Sequence, residues 1–140
     1  MATIFFDSFW HDMAQGLVTP SSDTVYEMLT TSSYTPSKSA HAKRSDITNE
    51  ITGTGYTAGG QAVTITLTAA SGNSDLELYN TADAVWTTAT ITAAYGVVYK
   101  HRGGAASADN LYWLNDFGGS FTSTAGTFTV HMATQFGLQN

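Results

Sequence analysis

Apolar and polar residues alternate most regularly in residues 61–68. In this segment Val63, Ile65 and Leu67 are separated by threonines. Successive side chains of a β-strand point to opposite faces, so this spacing places the three apolar side chains on one face and the threonines on the other. The segment is therefore predicted to be a strand with its apolar face turned inward.

Similar short segments, rich in β-branched and aromatic residues, recur along the chain and are separated by turn residues. They are residues 24–30, 75–79, 90–99, 111–117 and 127–133. The segment 90–99 is the longest and is apolar on both faces, which predicts a central strand. Gly118, Gly119 and Ser120 are predicted to form a turn.

Six to eight short strands joined by Gly-rich turns predict an all-β fold, an antiparallel β-sandwich with one short N-terminal helix. At 140 residues, the chain has the length of a single domain with a sizeable core. The predicted core consists of Val63, Ile65, Leu67, Leu76, Leu78, Ile91, Val97, Leu111, Trp113, Phe128 and Val130.

The helix is predicted within residues 5–17, inside an aromatic segment that spans 1–18. Phe5, Phe9 and Met13 recur at helical spacing with further aromatics beside them, and Gly16 is suited to end the helix. A helix this short must dock its apolar face to be stable. It either covers the protein's own sheet or offers its aromatic residues to a neighbouring subunit, since aromatic residues often anchor interfaces.

The segment 50–60 contains four glycines around Tyr56 and leads into the strand 61–68. Its spacing loosely resembles a dinucleotide-binding loop. Such a loop requires a helix after the glycines, whose N-terminus meets the phosphates, but here a β-branched strand follows. We therefore interpret the segment as a structural turn.

A long polar loop is predicted at residues 32–49, and it contains Lys38, His41, Lys43 and Arg44. Loops of this length in a compact domain are usually functional or flexible. The loop is therefore our first hypothesis for an arm that contacts a partner.

The charge balance argues against nucleic acid as a direct partner. Charged residues make up 11% of the chain, the net charge is −6, and only five residues are Lys or Arg. These basic residues fall in two separate loops, which does not predict the basic patch that nucleic acid requires. With no cysteine, the chain holds neither a disulfide nor a thiolate metal site.

No residue pattern predicts catalysis, a cofactor or a metal. The four histidines fall on four predicted elements, and no nucleophile-elbow motif occurs. Asp75 and Glu77 share one face of a strand, but two exposed acids that keep the strand soluble are the simpler interpretation. The N-terminus lacks a signal-peptide pattern and no apolar run reaches membrane-spanning length, so we expect neither export nor a membrane.

A sugar-binding sandwich is an alternative, because such modules present exposed aromatic side chains. The residues that would serve are Tyr56, Trp86, Tyr99 and Tyr112. Packing in the core is the competing interpretation of each, and we favour it.

Several motifs in order resemble a family of small structural proteins from tailed bacteriophages. They lie at residues 22–36, His41, 50–60 with the sequence GTGYTAGG, 95–99, 116–118 and 126–130, and together they span most of the chain. The resemblance implies a virion protein that decorates or cements the capsid, and it implies no catalytic residues.

We therefore expect a decoration protein that binds and stabilises the mature head, with the major capsid protein or other virion subunits as partners. Self-association is expected, with trimers favoured, on the capsid surface after synthesis in the host cytoplasm. The alternatives are a neck, head-completion or tail component, and a carbohydrate-binding module displayed on the particle. The candidate interface residues are Phe5, Phe6, Phe9, Trp10, Met13, Lys38, His41, Lys43, Arg44 and Tyr56.

Overall fold

A computed structural model describes residues 1–69, 76–132 and 135–139, with side chains over 1–68 and 81–132. These residues form eight β-strands, one α-helix and two short 3-10 helices. The predicted all-β fold with one short N-terminal helix is confirmed. The sandwich arrangement of the sheets stays a prediction.

The strands form two antiparallel sheets. The bounds are β1 Ala2–Phe5, α1 Asp7–Ala14, β2 Val25–Thr30, β3 Gln61–Val63, β4 Ile65–Ala69, β5 Leu76–Thr81, β6 Ala84–Lys100, β7 Leu111–Val130 and β8 Gln135–Gln139. The larger sheet has the strand order β1-β7-β6-β2-β3 and the smaller sheet the order β4-β5-β8. Among the residues with described coordinates, no helix is long and apolar enough to cross a membrane.

The long hairpin of β6 and β7 is the centre of the larger sheet. Its strands have 17 and 20 residues and pair from Ala84 opposite Val130 to Tyr99 opposite Leu111. Several breaks in the register interrupt this ladder. Such breaks are bulges or similar irregularities, which bend and twist the hairpin while the two strands stay paired.

The predicted turn at residues 118–120 is wrong, because these residues continue β7. The pair Tyr95–Asp116 is followed by the pair Ala93–Phe121, so one residue of β6 faces four residues of β7. Gly118 has a φ of +78°, a conformation that glycine adopts without steric cost. The glycines therefore accommodate a bulge inside one strand, where the sequence pattern indicated two strands.

Most of the predicted core is confirmed. All predicted members with described side chains are buried except Leu67, which is 44% exposed. Leu67 shares a face of β4 with Ile65, which is 4% exposed and belongs to the core, so the strand leaves the core between these two residues. Leu76 and Leu78 lie outside the residues whose side chains are described.

The N-terminal segment docks on the protein's own sheet. The residues before the helix form β1, which pairs with residues 113–116 of β7, so Phe5 is a strand residue and Phe6 precedes the helix. Phe9 is 0% exposed, and its ring lies 5.1 Å from that of Tyr112. The helix ends before Gly16, whose φ of +72° and N–H bond to the Met13 carbonyl form the predicted C-terminal cap.

Candidate functional site

The predicted contact arm, the loop 32–49, is fixed to the body of the protein. Its backbone hydrogen-bonds to β1–α1 through Asp7 N–H and the Lys38 carbonyl, at 2.9 Å. It bonds to the start of β7 through Leu111 N–H and the Ala42 carbonyl, at 3.0 Å. Because both contacts hold backbone atoms, the loop is an ordered part of the fold and not a free arm.

The two basic loops meet in space at Asp109. Arg44 Nε donates to the carboxylate of Asp109 at 2.7 Å, and the Arg44 guanidinium lies 5.3 Å from the centre of the Tyr99 ring. Asp109 is fully buried, whereas the pair of Lys38 with Asp7 is exposed on both sides. Arg44 therefore compensates a buried charge, and Lys38 remains at the surface.

Replacing Arg44 by methionine should destabilise the protein by about 2 kcal/mol, because it leaves the buried Asp109 carboxylate with only part of its partners. The backbone N–H of Arg102 still donates to Asp109, which keeps the loss below that of a fully unpaired charge. Urea unfolding followed by tryptophan fluorescence measures the change. The matched control is Lys38→Met, which breaks an exposed pair and should cost less than about 1 kcal/mol. Equal effects of the two variants would contradict this assignment.

Polar contacts that the sequence did not predict join α1 and the loop after it to the end of β6 and the connection between β6 and β7. Asn110 Nδ2 donates to Asp12 at 2.7 Å, and Lys100 pairs with Asp23 at 2.8 Å. Burial tends to raise the pKa of Asp23, but the hydrogen bonds from Lys100 and Tyr112 outweigh it and lower the pKa. The partners are far apart in sequence, so no local pattern indicates them.

The four histidines do not form a metal site with the other described residues. Nδ1 of His41 lies 2.8 Å from the Tyr34 hydroxyl, and His101 stacks on Tyr26 with ring centres 4.0 Å apart. His131 contacts Asp83 at 2.8 Å, and His11 is exposed on α1. Within the described part of the chain, no group of three or more His, Cys, Asp or Glu residues is arranged to hold a metal ion.

The glycine-rich segment 50–60 is a turn, and Glu50 holds it closed. Its Oε1 accepts hydrogen bonds from the Tyr56 hydroxyl at 2.7 Å and from the Gly59 N–H at 2.5 Å. The Tyr56 oxygen in turn accepts the N–H of Leu29 in β2, and burial raises the pKa of this phenol. Tyr56, a candidate interface residue, is therefore engaged inside the fold. A strand follows the turn as predicted, but the single strand predicted over 61–68 is divided at Thr64 into β3 and β4, which belong to different sheets.

The aromatic residues proposed for sugar binding are largely in the core. Trp86, Tyr99 and Tyr112 are buried, and Tyr56 is half-buried against the core. A sugar-stacking platform needs an exposed ring face, so these three buried residues do not provide one. The interpretation as core residues, which the sequence favoured, is confirmed for them.

Among the aromatic interface candidates, Trp10 is the most exposed. Phe6 and Phe9 are 1% and 0% exposed, so they cannot contact a partner in this conformation, and Phe5 and Met13 are half-buried. Trp10 is 39% exposed and its ring lies about 5 Å from those of Phe5 and Phe9. The cluster holds the Trp10 ring at the surface of α1, and Phe9 packs the helix against the sheet.

An open groove beside β7 is a second apolar surface, which the sequence did not predict. Its volume is about 450 Å³ and its apolar wall consists of Met1, Phe117, Phe121, Phe128 and Val130. β1 pairs with β7 only as far as Asp116, and no described strand covers that side of β7 beyond it. The sequence does not predict this surface, because the turn predicted at 118–120 divides β7 into two separate strands.

Comparisons with protein-family models, with curated proteins and with solved structures found no match to this chain.

Proposed function

We propose that the protein is a structural protein of a tailed-bacteriophage virion, and specifically a capsid decoration protein that binds and stabilises the mature head. The ordered motifs that resemble this family of virion proteins support the proposal. The structural observation that carries it is Trp10, an exposed aromatic residue held in a fixed position by an aromatic cluster that is rooted in the core.

A fixed aromatic side chain is an effective anchor for a protein partner. Tryptophan is enriched among the residues that contribute most to binding. Because Phe5 and Phe9 already hold the Trp10 ring, little conformational entropy is lost when a partner covers it. The surface around α1 is therefore the proposed contact with the major capsid protein.

Binding of this kind would stabilise the head by mass action. A protein that binds the mature lattice and not its open form shifts the equilibrium toward the mature lattice. Many copies on one shell act together, so each contact can be weak and the total still strong. Trimers are the favoured arrangement on the particle, because three-fold and quasi-three-fold positions repeat over a shell.

The copy number in purified particles tests the location. Quantitative mass spectrometry against the major capsid protein should give about one copy per capsid subunit, or a simple fraction of that. On the order of a dozen copies would instead indicate a neck or tail component, where rings of low symmetry set the count. Absence from particles would overturn the structural role altogether.

Replacing Trp10 by alanine should weaken binding to particles that lack this protein by about 30-fold, the loss typical of a central interface residue. Equilibrium binding to gradient-purified particles measures the effect. Val85→Ala serves as the control, because Val85 is also an exposed apolar residue but lies on β6, away from α1. Undiminished binding of the Trp10 variant would exclude α1 as the capsid contact.

A further inference from the structure

The side chains that line the groove beside β7 include no Asp, Glu, Lys or Arg. None of these residues occurs in 84–99 of β6, nor anywhere after Asp116. The carboxylate of Asp83 contacts the lining residue His131 at 2.8 Å. The chain as a whole has a net charge of −6, so two copies repel each other at most orientations. A contact through the groove brings no lining Asp or Glu side chain of one copy against that of the other, so it adds little to this repulsion.

The same surface contains both a projecting side chain and a cavity that would receive it. Phe121 is 55% exposed and stands at the wall of the groove, whose other apolar walls include Phe117 and Phe128. A two-fold axis brings one surface patch against its identical copy, so a patch needs its own projection and its own cavity. This groove has both.

Bulges in β7 oppose the binding of a second copy by addition of a strand to this edge of the sheet. The register of β7 against β6 breaks on either side of residues 121–123, and Ala125 has a φ of +47°. Bulges of this kind discourage the addition of a long strand to a sheet edge. The contact must therefore rest mainly on side chains, which again makes Phe121 the central residue.

We propose that two copies of this chain associate through the β7 groove, with Phe121 of each copy inserted into the groove of the other. The contact forms a two-fold dimer in solution, and trimers then arise only through further contacts on a shell. The dimer does not depend on the virion role proposed above, because it is a property of the free protein.

Sedimentation equilibrium of the purified protein tests the dimer. The wild type should have twice the chain mass of 14.9 kDa. Phe121→Glu should be a monomer at the same concentration, with a dissociation constant raised at least about 100-fold because the change affects both halves of the contact. Phe121→Ala should weaken the dimer in the same direction, and it provides the test if the charged variant does not fold.

Leu17→Glu is the matched control, because Leu17 is 45% exposed but does not line the groove. This variant should remain a dimer. Added salt should tighten the wild-type dimer, because it screens the repulsion between two negatively charged copies. A monomeric or trimeric wild type, or a dimer that neither Phe121 variant weakens, would overturn the proposal.

Discussion

Gly60→Ala is expected to destabilise the protein by about 4 kcal/mol or more, the largest effect of any substitution considered for this chain. The φ of Gly60 is +81°, which residues with a side chain rarely adopt. A Cβ atom on Gly60 would overlap the carbonyl group of Glu27 and lie 2.7 Å from the Cα of Met28. These atoms belong to the backbone of β2, inside the larger sheet, so they cannot move aside cheaply. Urea unfolding monitored by tryptophan fluorescence measures the loss.

Gly16→Ala separates the two causes of this loss, the strain of a positive φ and the steric overlap with β2. Gly16 has a similar φ of +72°, but a Cβ there would meet no atom within 4 Å. Its replacement should cost only the backbone strain, about 1 kcal/mol. If both variants lose the same stability, the close approach of the segment 50–60 to β2 is not what requires glycine.

The stability of the protein is expected to fall as pH rises from about 4.5 to about 8, by on the order of 5 kcal/mol. The cause is Glu27, which is fully buried in β2. Burial, and to a smaller degree the charge of Asp83, raises its pKa to about 8, although the hydrogen bond from Asn115 at 3.1 Å acts in the opposite direction. No partner among the described residues reaches its second oxygen, Oε2.

The direction of this pH effect follows from the number of protons bound in the folded and unfolded states. Below pH 4.5, the ordinary pKa of a glutamate side chain, Glu27 is protonated in both states, and its contribution to the free energy of unfolding is complete. Between that pH and about 8 the folded state holds a proton that the unfolded state has released, so rising pH favours unfolding. Asp46 and Asp83 have lowered pKa values, because each accepts hydrogen bonds, and they act only in acid, where stability falls as pH falls.

Glu27→Gln is the matched variant, since it keeps the shape of the side chain and removes its titration. Unfolding by urea at about pH 5, 7 and 9 should give a nearly constant free energy for the variant and a falling one for the wild type. At the highest pH the variant should be the more stable protein. Parallel pH profiles would show that Glu27 is ionised in the folded state.

The strands could be predicted from the sequence because the β-branched and aromatic segments follow the pleat of a sheet. The errors arose where a local pattern has two structural solutions. Gly118 suits a turn as well as a bulge, and the pairing of β6 with β7 decides between them. Leu67 continues a regular alternation, but burial depends on how far the strand runs along the core, and Ile65 on the same face is its last buried residue.

The candidate site was predictable only in part. The helical spacing of the aromatic residues correctly indicated a docking face, and it could not show that Phe9 would be covered by Tyr112, which follows it by about a hundred residues. The sequence predicts Arg44 as part of a contact arm, because its partner Asp109 follows it by 65 residues and no local pattern links the two. The sequence does not indicate a role for Phe121, because this residue directly follows the predicted turn and lies outside the predicted strands.

The pairing of β1 with β7 has a consequence for biosynthesis. Ala2 lies opposite Asp116, so the first strand cannot take its place until more than a hundred later residues have left the ribosome. At roughly 5–20 residues per second, the interval is on the order of 10 s. During that time the aromatic face of α1 has no sheet to cover it, and contacts between such distant segments also form slowly. The nascent chain therefore exposes the aromatic face of α1 until β7 has been synthesised. This makes the period of synthesis the stage most vulnerable to aggregation.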